Sequence, residues 1–248
     1  MYPSHTVGHM RPDHLRLVGL GLYTRADAVR LLRMTPSRVS RWVMGYSYTL
    51  SYAPKAERRA QPPVVRARIP RIDGSILISF LDLMELRVVK ALIDRGLSLQ
   101  HVRQVAGLAS ELFNTAYPFA SRRIFTDGRE VFASLSRVKA DEVLIELSAK
   151  HDQLIAGPIV QQYLAELDFD EQSKLAERWW PLGRSVPVVL DPKIAFGAPI
   201  IAGTATRTDV VATLSHKVQI SAAAAAFQLE EKDVTAALRF ESELAAAA

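Results

Sequence analysis

The sequence contains no cysteine among its 248 residues. Disulfide bonds, thiolate metal sites and cysteine nucleophiles are therefore excluded, and the stability must come from packing. The sequence also lacks any run of about 18 apolar residues and any basic-then-apolar start, so it predicts neither a membrane span nor a secretory signal. We expect a cytoplasmic protein with no membrane partner.

Acidic residues are scarce in the first part of the chain. Residues 1–70 contain 12 lysines and arginines against 3 aspartates and glutamates, whereas residues 71–248 contain 19 against 23. The net charge of +5 is thus +9 in the first segment and −4 in the second. A concentration of one sign of charge in one segment is typical of a surface that binds phosphates. We expect the N-terminal segment to bind nucleic acid.

The stretch from Thr24 to Gly45 has the pattern of two short helices joined by a tight turn. Thr24 is a candidate N-cap, and the negative charge of Asp27 in the first turn interacts favourably with the exposed backbone amides of the helix start. Thr35 is a second candidate cap, Pro36 suits the first helical position, and Gly45 ends the second helix. The pattern predicts a helix-turn-helix whose second helix enters the DNA major groove.

The second helix has one apolar and one basic face. Val39, Trp42 and Val43 recur at helical spacing and are predicted to face inward. The opposite face has no acidic residue, and its two arginines, three residues apart, are expected to have no carboxylate in reach, which suits an anionic partner. From the spacing alone, a surface helix pair with a solvated basic face stays open as an alternative. The predicted DNA-binding residues of the helix pair are Arg25, Thr35, Ser37, Arg38, Ser40 and Arg41.

Beyond Gly45, tyrosines alternate from Tyr46 to Tyr52 along an extended run, and an apolar, proline-rich run follows a basic stretch. This pattern predicts a wing, that is, two strands around an exposed basic tip beside the second helix. We expect the tyrosines to form the packing face of this hairpin and not a platform that stacks bases. The basic residues predicted to contact DNA at its tip are Lys55, Arg58 and Arg59.

Helical periodicity runs from Phe80 to Gly96, and Ser98 is a candidate cap for a further helix. Together with the helix pair and the wing, the segment SFLDLMELRVVKALIDRGLSLQHVRQVAG resembles the winged-helix DNA-binding domain of the MerR-like family over about residues 23–120. The resemblance implies that the second helix enters the major groove and that the wing holds phosphates. MerR-type regulators continue into a long dimerising helix, whereas this chain runs into YPF at residues 117–119.

The central part of the chain is less regular. The segment RIFTDGREVF places apolar residues on both sides of Asp127 and Gly128, which predicts a two-residue β-hairpin. From Gln153 to Asp170 the pattern does not separate strand from helix.

Three carboxylates lie close together in the sequence of the central part: Asp168, Asp170 and Glu171. They allow a distant hypothesis of a metal-dependent nuclease. Such an enzyme needs carboxylates that converge from several elements, whereas neighbours in sequence usually mark a solvated turn. We therefore predict no catalytic residue, no metal site and no cofactor.

The sequence DPKIAFGAPIIAGT runs from Asp191 to Thr204. Its DPxIxFGxPxIxGT pattern closely resembles the DUF433 family of small helix-turn-helix modules, over about residues 187–244. The resemblance implies a short extended ribbon followed by three helices. Family members commonly continue GTR where this chain has Ala205, and Glu230, Glu231 and Asp233 crowd the start of the last helix. We therefore expect this module to mediate oligomerisation or toxin contact rather than DNA contact.

The order of these units resembles the larger VapB-type antitoxins of bacterial toxin–antitoxin pairs. That resemblance implies an antitoxin that neutralises a PIN-domain ribonuclease toxin and binds operator DNA to autoregulate the shared operon. We predict a non-enzymatic protein that forms a homodimer or a higher complex with the toxin. The alternative is a ligand-sensing MerR-like transcription regulator without a toxin partner.

The predicted fold is mainly α with small β elements (α+β). It consists of a flexible arm over residues 1–22, a MerR-like winged helix-turn-helix over 23–120, a central β-containing region over 121–185 and a three-helix DUF433-type helix-turn-helix domain over 186–248. Toxin neutralisation is expected within residues 120–248, because acidic residues could cover a basic RNA-binding surface or a cation could enter the toxin's carboxylate site. The candidate cations are Arg178, Arg184 and Arg207.

Overall fold

The computed structural model describes residues 19–50, 57–126, 163 and 165–246. Most of the predicted arm, the wing residue Lys55 and the Asp127-Gly128 turn lie outside these residues. The first elements are α1 (Arg25–Leu32), α2 (Pro36–Met44), β1 (Tyr46–Leu50), β2 (Glu57–Gln61), α3 (Phe80–Asp94), α4 (Leu99–Phe113) and α5 (Arg123–Thr126). The later ones are β3 (Leu167–Phe169), β4 (Ala176–Trp179), β5 (Val188–Leu190), β6 (Pro199–Ile201), α6 (Thr208–Ser215), α7 (Ile220–Phe227) and α8 (Glu231–Ala245). The predicted fold class, mainly α with small β elements, is confirmed.

Short-range capping sets the starts of the N-terminal helices. At α1, Thr24 Oγ1 accepts a hydrogen bond from Asp27 N at 3.1 Å, and Asp27 Oδ2 accepts one from Thr24 N at 2.8 Å. This reciprocal capping box satisfies two backbone donors that a helix start leaves unpaired. At α2, Thr35 Oγ1 accepts from Arg38 N at 3.3 Å, and Pro36 is the first helical residue. Both predicted caps are confirmed.

The wing follows α2 through a backbone turn that requires glycine. Gly45 has a φ of 76°, and a Cβ on it would lie 2.3 Å from Gln61 O. After this turn β1 pairs antiparallel with β2, and Tyr46 lies opposite Gln61. The predicted hairpin beside the second helix is therefore present.

A four-stranded antiparallel sheet in the order β3-β4-β5-β6 forms the base of the C-terminal part. Trp179 on β4 pairs with Leu190 on β5, and β5 pairs with β6 from Val188 opposite Ile201 onward. The boundary expected at residue 186 thus falls inside one continuous sheet. Strands of three or four residues are marginal alone, and this sheet is stabilised because α6 packs against β6 and α8 against β5.

One sequence-based expectation is wrong in its first half. Arg123–Thr126 forms the single turn α5 and not a strand leading into Asp127. Arg122 N donates to Lys174 O at 2.8 Å, and Ile124 is buried. These tertiary contacts decide the conformation, because a four-residue segment has little conformational preference of its own.

The N-terminal and C-terminal parts share one cluster of buried side chains, which extends from Tyr23 to Leu244. At its centre the Tyr23 hydroxyl donates to Gly197 O at 2.7 Å, across 174 residues of sequence. Leu22 N donates to Phe196 O at 2.8 Å. We call this set of contacts the Tyr23 junction.

We predict that Gly197→Ala destabilises the whole chain. Gly197 has a φ of 83°, and a Cβ on it would lie 2.3 Å from the Tyr23 hydroxyl oxygen. Alanine is strained in this left-handed backbone conformation, and its methyl group would overpack the site. Together these effects should lower the free energy of unfolding by about 2–4 kcal/mol. The matched control is Gly203→Ala, because Gly203 has a φ of 79° but open space around it, so only about 1 kcal/mol is expected. Equal losses in urea denaturation would contradict a close approach at the Tyr23 junction.

Glu85 provides a pH-dependent contribution to stability. It is buried on α3, and its Oε1 accepts a hydrogen bond from Ala120 N at 2.7 Å. Burial raises the pKa of this carboxyl from 4.5 to about 8, although the backbone hydrogen bonds oppose the shift. Because the folded state binds the proton more tightly, this stabilisation is complete below the ordinary pKa and is lost as the pH rises towards the folded value.

We expect Glu85→Gln to remove this pH dependence, since the amide keeps the acceptor and cannot ionise. Between about pH 5 and pH 8 the wild type should lose ~3 kcal/mol of unfolding free energy through this group, and the variant should not. The exposed Glu111→Gln on α4 is the control and should follow the wild type. Parallel pH profiles of wild type and Glu85→Gln in chemical denaturation would overturn the assignment.

Candidate nucleic-acid interface

Helix α2, which we call the recognition helix, presents the face that the sequence predicted. Val39, Trp42 and Val43 are buried against the core, as expected. On the outer side Ser37 and Arg41 are exposed, and Ser40 is half-buried. An α-helix that starts with such polar residues can offer side chains and backbone amides to a nucleic acid.

Arg41 connects the recognition helix to the wing. Its guanidinium lies 5.0 Å from the centroid of the Tyr46 ring on β1. A guanidinium over an aromatic face is attracted by the ring and loses side-chain freedom. Arg41 is therefore exposed but already oriented before any partner arrives.

Arg38 differs from the expectation of a face without acid. The recognition helix contains none, but Asp94 at the C-terminal end of α3 lies against it, and Arg38 Nη2 contacts Asp94 Oδ1 at 2.7 Å. Arg38 also lies 4.5 Å from the Trp42 ring centroid, and Lys90 Nζ contacts Asp94 Oδ2 at 2.7 Å. Burial opposes ionisation of Asp94, but the hydrogen bonds from Lys90 and Arg38 outweigh it and lower its pKa. Sequence spacing could not reveal this pair, because its partners are 56 residues apart.

The other predicted DNA-binding residues are placed as follows. Arg25 Nη1 donates to Ser40 Oγ at 3.2 Å, which brings one residue of α1 to the recognition helix. Arg58 and Arg59 are exposed and lie in strand β2, opposite Thr49 and Tyr48, and not in the turn of the wing. The difference arises because the second strand already begins at Glu57.

The three cations proposed for toxin contact each hold a carboxylate within this chain. Arg178 Nε contacts Asp191 at 2.9 Å, Arg184 contacts Asp168 at 2.6 Å, and Arg207 contacts Asp209 at 2.5 Å. Each of the three is therefore engaged within this chain.

The carboxylates of the central part are used in turns and pairs. Asp168 accepts a hydrogen bond from Trp180 Nε1 at 3.0 Å in addition to its pair with Arg184. Asp170 Oδ1 accepts from Ser173 N at 2.7 Å and from its hydroxyl at 2.8 Å, and these bonds lower the pKa of Asp170. Glu171 is exposed. Within the described ranges, no group of three or more histidine, aspartate or glutamate side chains is arranged to hold a metal.

None of the helices in the described part of the chain combines the length and the hydropathy of a membrane span.

The described fold contains a helix-turn-helix in its N-terminal part, and two segments of the chain match known domain families. Residues 21–106 match the family described as "Putative DNA-binding HTH domain", and residues 188–240 match "Protein of unknown function (DUF433)". The two matched segments contain the recognition helix and the module attached to it by the Tyr23 junction.

More specifically, the chain is similar to a Mycobacterium tuberculosis (strain ATCC 25618 / H37Rv) protein named "Putative antitoxin VapB45". The two are 28% identical over 202 residues, which cover 78% of this chain and 82% of that protein. The crystal structure of Rv2018 from Mycobacterium tuberculosis has the same fold, with a TM-score of 0.66 at 21% identity over 89% of this chain and 98% of that one. The resemblance to a VapB-type antitoxin with helix-turn-helix and DUF433 domains is confirmed.

Proposed function

We propose that this protein is the antitoxin of a type II toxin–antitoxin pair. As a homodimer it binds operator DNA through the recognition helix and the wing, and thereby autoregulates its operon. It also neutralises a PIN-domain ribonuclease toxin. The observation that carries the proposal is the joining of a basic helix-turn-helix and a DUF433 domain in one core, in a chain similar to a protein named as a VapB antitoxin.

The exposed cations support the DNA-binding part of the proposal. Arg41 and Ser37 lie on the outer face of the recognition helix, while Arg58 and Arg59 extend that basic surface onto the wing. Helix residues are suited to reading base edges in the major groove, whereas wing cations contact phosphates on any sequence.

Exposed acids support the toxin-binding part. Arg178, Arg184 and Arg207 would each have to leave a carboxylate to enter a toxin's active site. Glu231 at the start of α8 is exposed and can cover a basic RNA-binding surface without such a loss, whereas Glu230 already pairs with Lys232 at 2.7 Å. We therefore favour covering over insertion.

A ligand-sensing regulator is the second candidate function. A cavity of about 420 Å³ is lined by residues of the segment 62–68, which follows the wing, and by residues of α3 and α4. Arg68, Asp82, Glu85, Arg103 and Tyr117 are among its lining residues. A polar small molecule in this cavity would contact the helices that support the recognition helix.

We expect DNA binding to be strongly salt-dependent. If a dimer neutralises about six phosphates, log K should fall against log salt with a slope of about −5. Arg41→Ala should lose roughly 1–3 kcal/mol on the preferred sequence and relax sequence preference, whereas Arg58→Ala should weaken all sequences alike. Fluorescence anisotropy with preferred and random duplexes measures both. Flat binding across salt, or equal losses for both variants on both duplexes, would contradict the proposal.

We expect toxin neutralisation to be independent of DNA contact. Because the two ends of the chain share one core, the test uses full-length variants and not fragments. Arg41→Ala should still restore growth and co-purify when co-expressed with the toxin encoded beside this gene, although it no longer represses the operon. Glu230→Gln with Glu231→Gln should weaken co-purification and leave DNA binding intact. Loss of growth rescue in Arg41→Ala would argue against separate surfaces.

A further inference from the structure

We propose that Asp94 is a specificity-determining residue of the DNA interface, because it holds Arg38 and disfavours every DNA on which Arg38 finds no base partner. This inference rests on the proposed DNA binding and concerns how the same surface rejects random sequences. It assigns a function to an acid that lies outside the helix-turn-helix.

The geometry places Asp94 beside the part of the recognition helix that reads DNA. Arg38 is the third residue of α2, and the first residues of a recognition helix contact base edges in helix-turn-helix proteins. Asp94 Oδ1 lies 2.7 Å from Arg38 Nη2, so any DNA that contacts this guanidinium comes close to a carboxylate. The pair is only partly exposed, with 29% of the Arg38 side chain and 40% of the Asp94 side chain accessible.

The pair leaves two ways to bind DNA, and both disfavour random sequences. If Arg38 stays on Asp94, the carboxylate offsets its positive charge, so the pair attracts the phosphates less than a free arginine would. If Arg38 leaves Asp94, the lost ion pair must be replaced by a better partner. A guanine edge offers a bidentate acceptor for arginine, whereas a phosphate of any sequence offers a less specific one. Asp94 therefore weakens binding least where Arg38 finds a suitable base.

Arg41 shows what the recognition helix presents without such an acid. It is oriented by an aromatic ring, as Arg38 is, but the described residues include no carboxylate in an ion pair with it. The two arginines are thus held by similar cation–π contacts and differ in their acidic partner. We therefore expect the Arg38–Asp94 pair to add a penalty on unsuitable sequences that Arg41, which can read a base directly, does not add.

The test compares wild type and Asp94→Asn on two duplexes of equal length. One is selected by the wild-type protein from a random pool, and the other is unrelated to it. Asp94→Asn should bind the unrelated duplex roughly three- to ten-fold more tightly and the selected duplex less than two-fold more tightly. On the unrelated duplex the slope of log K against log salt should become steeper by about one, because Arg38 is released to a phosphate.

Three matched variants separate this function from a structural one. Asp94→Glu keeps the charge and should discriminate like the wild type. Lys90→Gln removes the other partner of Asp94 and should not tighten binding to the unrelated duplex. In an Arg38→Gln background, Asp94→Asn should no longer steepen the salt slope. Thermal denaturation of every variant identifies any loss of folding.

The outcomes distinguish a failure of the role of Asp94 from a failure of the proposed DNA binding. Unchanged affinity for the unrelated duplex in a folded Asp94→Asn protein would overturn the role of Asp94, and so would equal tightening on both duplexes. Asp94→Glu would decide the matter if Asp94→Asn did not fold, because loss of discrimination in that variant would overturn the role as well. If the wild type selected no duplex at all, the DNA-binding function itself would fail.

Discussion

The hydrogen bond from Tyr23 to Gly197 is the contact on which the arrangement of the two ends depends. Tyr23 is 2% exposed, so its hydroxyl has no water as an alternative partner. Burial raises the pKa of Tyr23 far above its ordinary value, which keeps the hydroxyl a donor at any physiological pH. A buried carbonyl without this donor would carry a desolvation penalty of about 1–3 kcal/mol. Because Tyr23 directly precedes Thr24, the cap of α1, its bond to Gly197 of the DUF433 domain fixes the position at which the helix-turn-helix begins.

A second buried contact holds the central part in place. Arg87 on α3 pairs with Glu166, which lies immediately before β3. The guanidinium also lies 3.9 Å from the Tyr163 ring centroid and 5.0 Å from that of Trp179. Removal of one partner of a buried ion pair typically costs 3–5 kcal/mol, because the other charge remains in a low-dielectric site. The sheet is therefore attached to the winged-helix part independently of the Tyr23 junction.

The elements that the sequence predicted well are those whose signals are local. A cap acts over three residues, so Thr24, Thr35 and Ser98 could be recognised as helix starts without knowledge of the fold. Likewise, the position of Gly45 after a periodic segment marks it as a helix end. The errors concern contacts between distant residues. Neither Asp94 beside Arg38 nor β4 beside β5 follows from spacing. Arg123–Thr126 forms a helical turn where Arg122 N bonds to the distant Lys174 O and Ile124 is buried. Which residues recognise a toxin depends on how the folded surface arranges them, whereas the sequence shows only the sign of each residue's charge.

The surface charge differs from what the segment totals suggest. Arg30 on α1 and Arg33 directly after it count towards the basic N-terminal segment, yet they contact Glu241 at 3.5 Å and Glu243 at 3.4 Å on α8. The acidic C-terminal helix therefore neutralises the side of α1 that faces it. The recognition helix and the wing keep their exposed cations, Arg41 and Arg58 among them. An imbalance between two halves of the sequence thus becomes an imbalance between two faces of the folded protein. An approaching DNA meets positive potential on one face, and the acids that remain exposed on α8 are left for a basic protein partner.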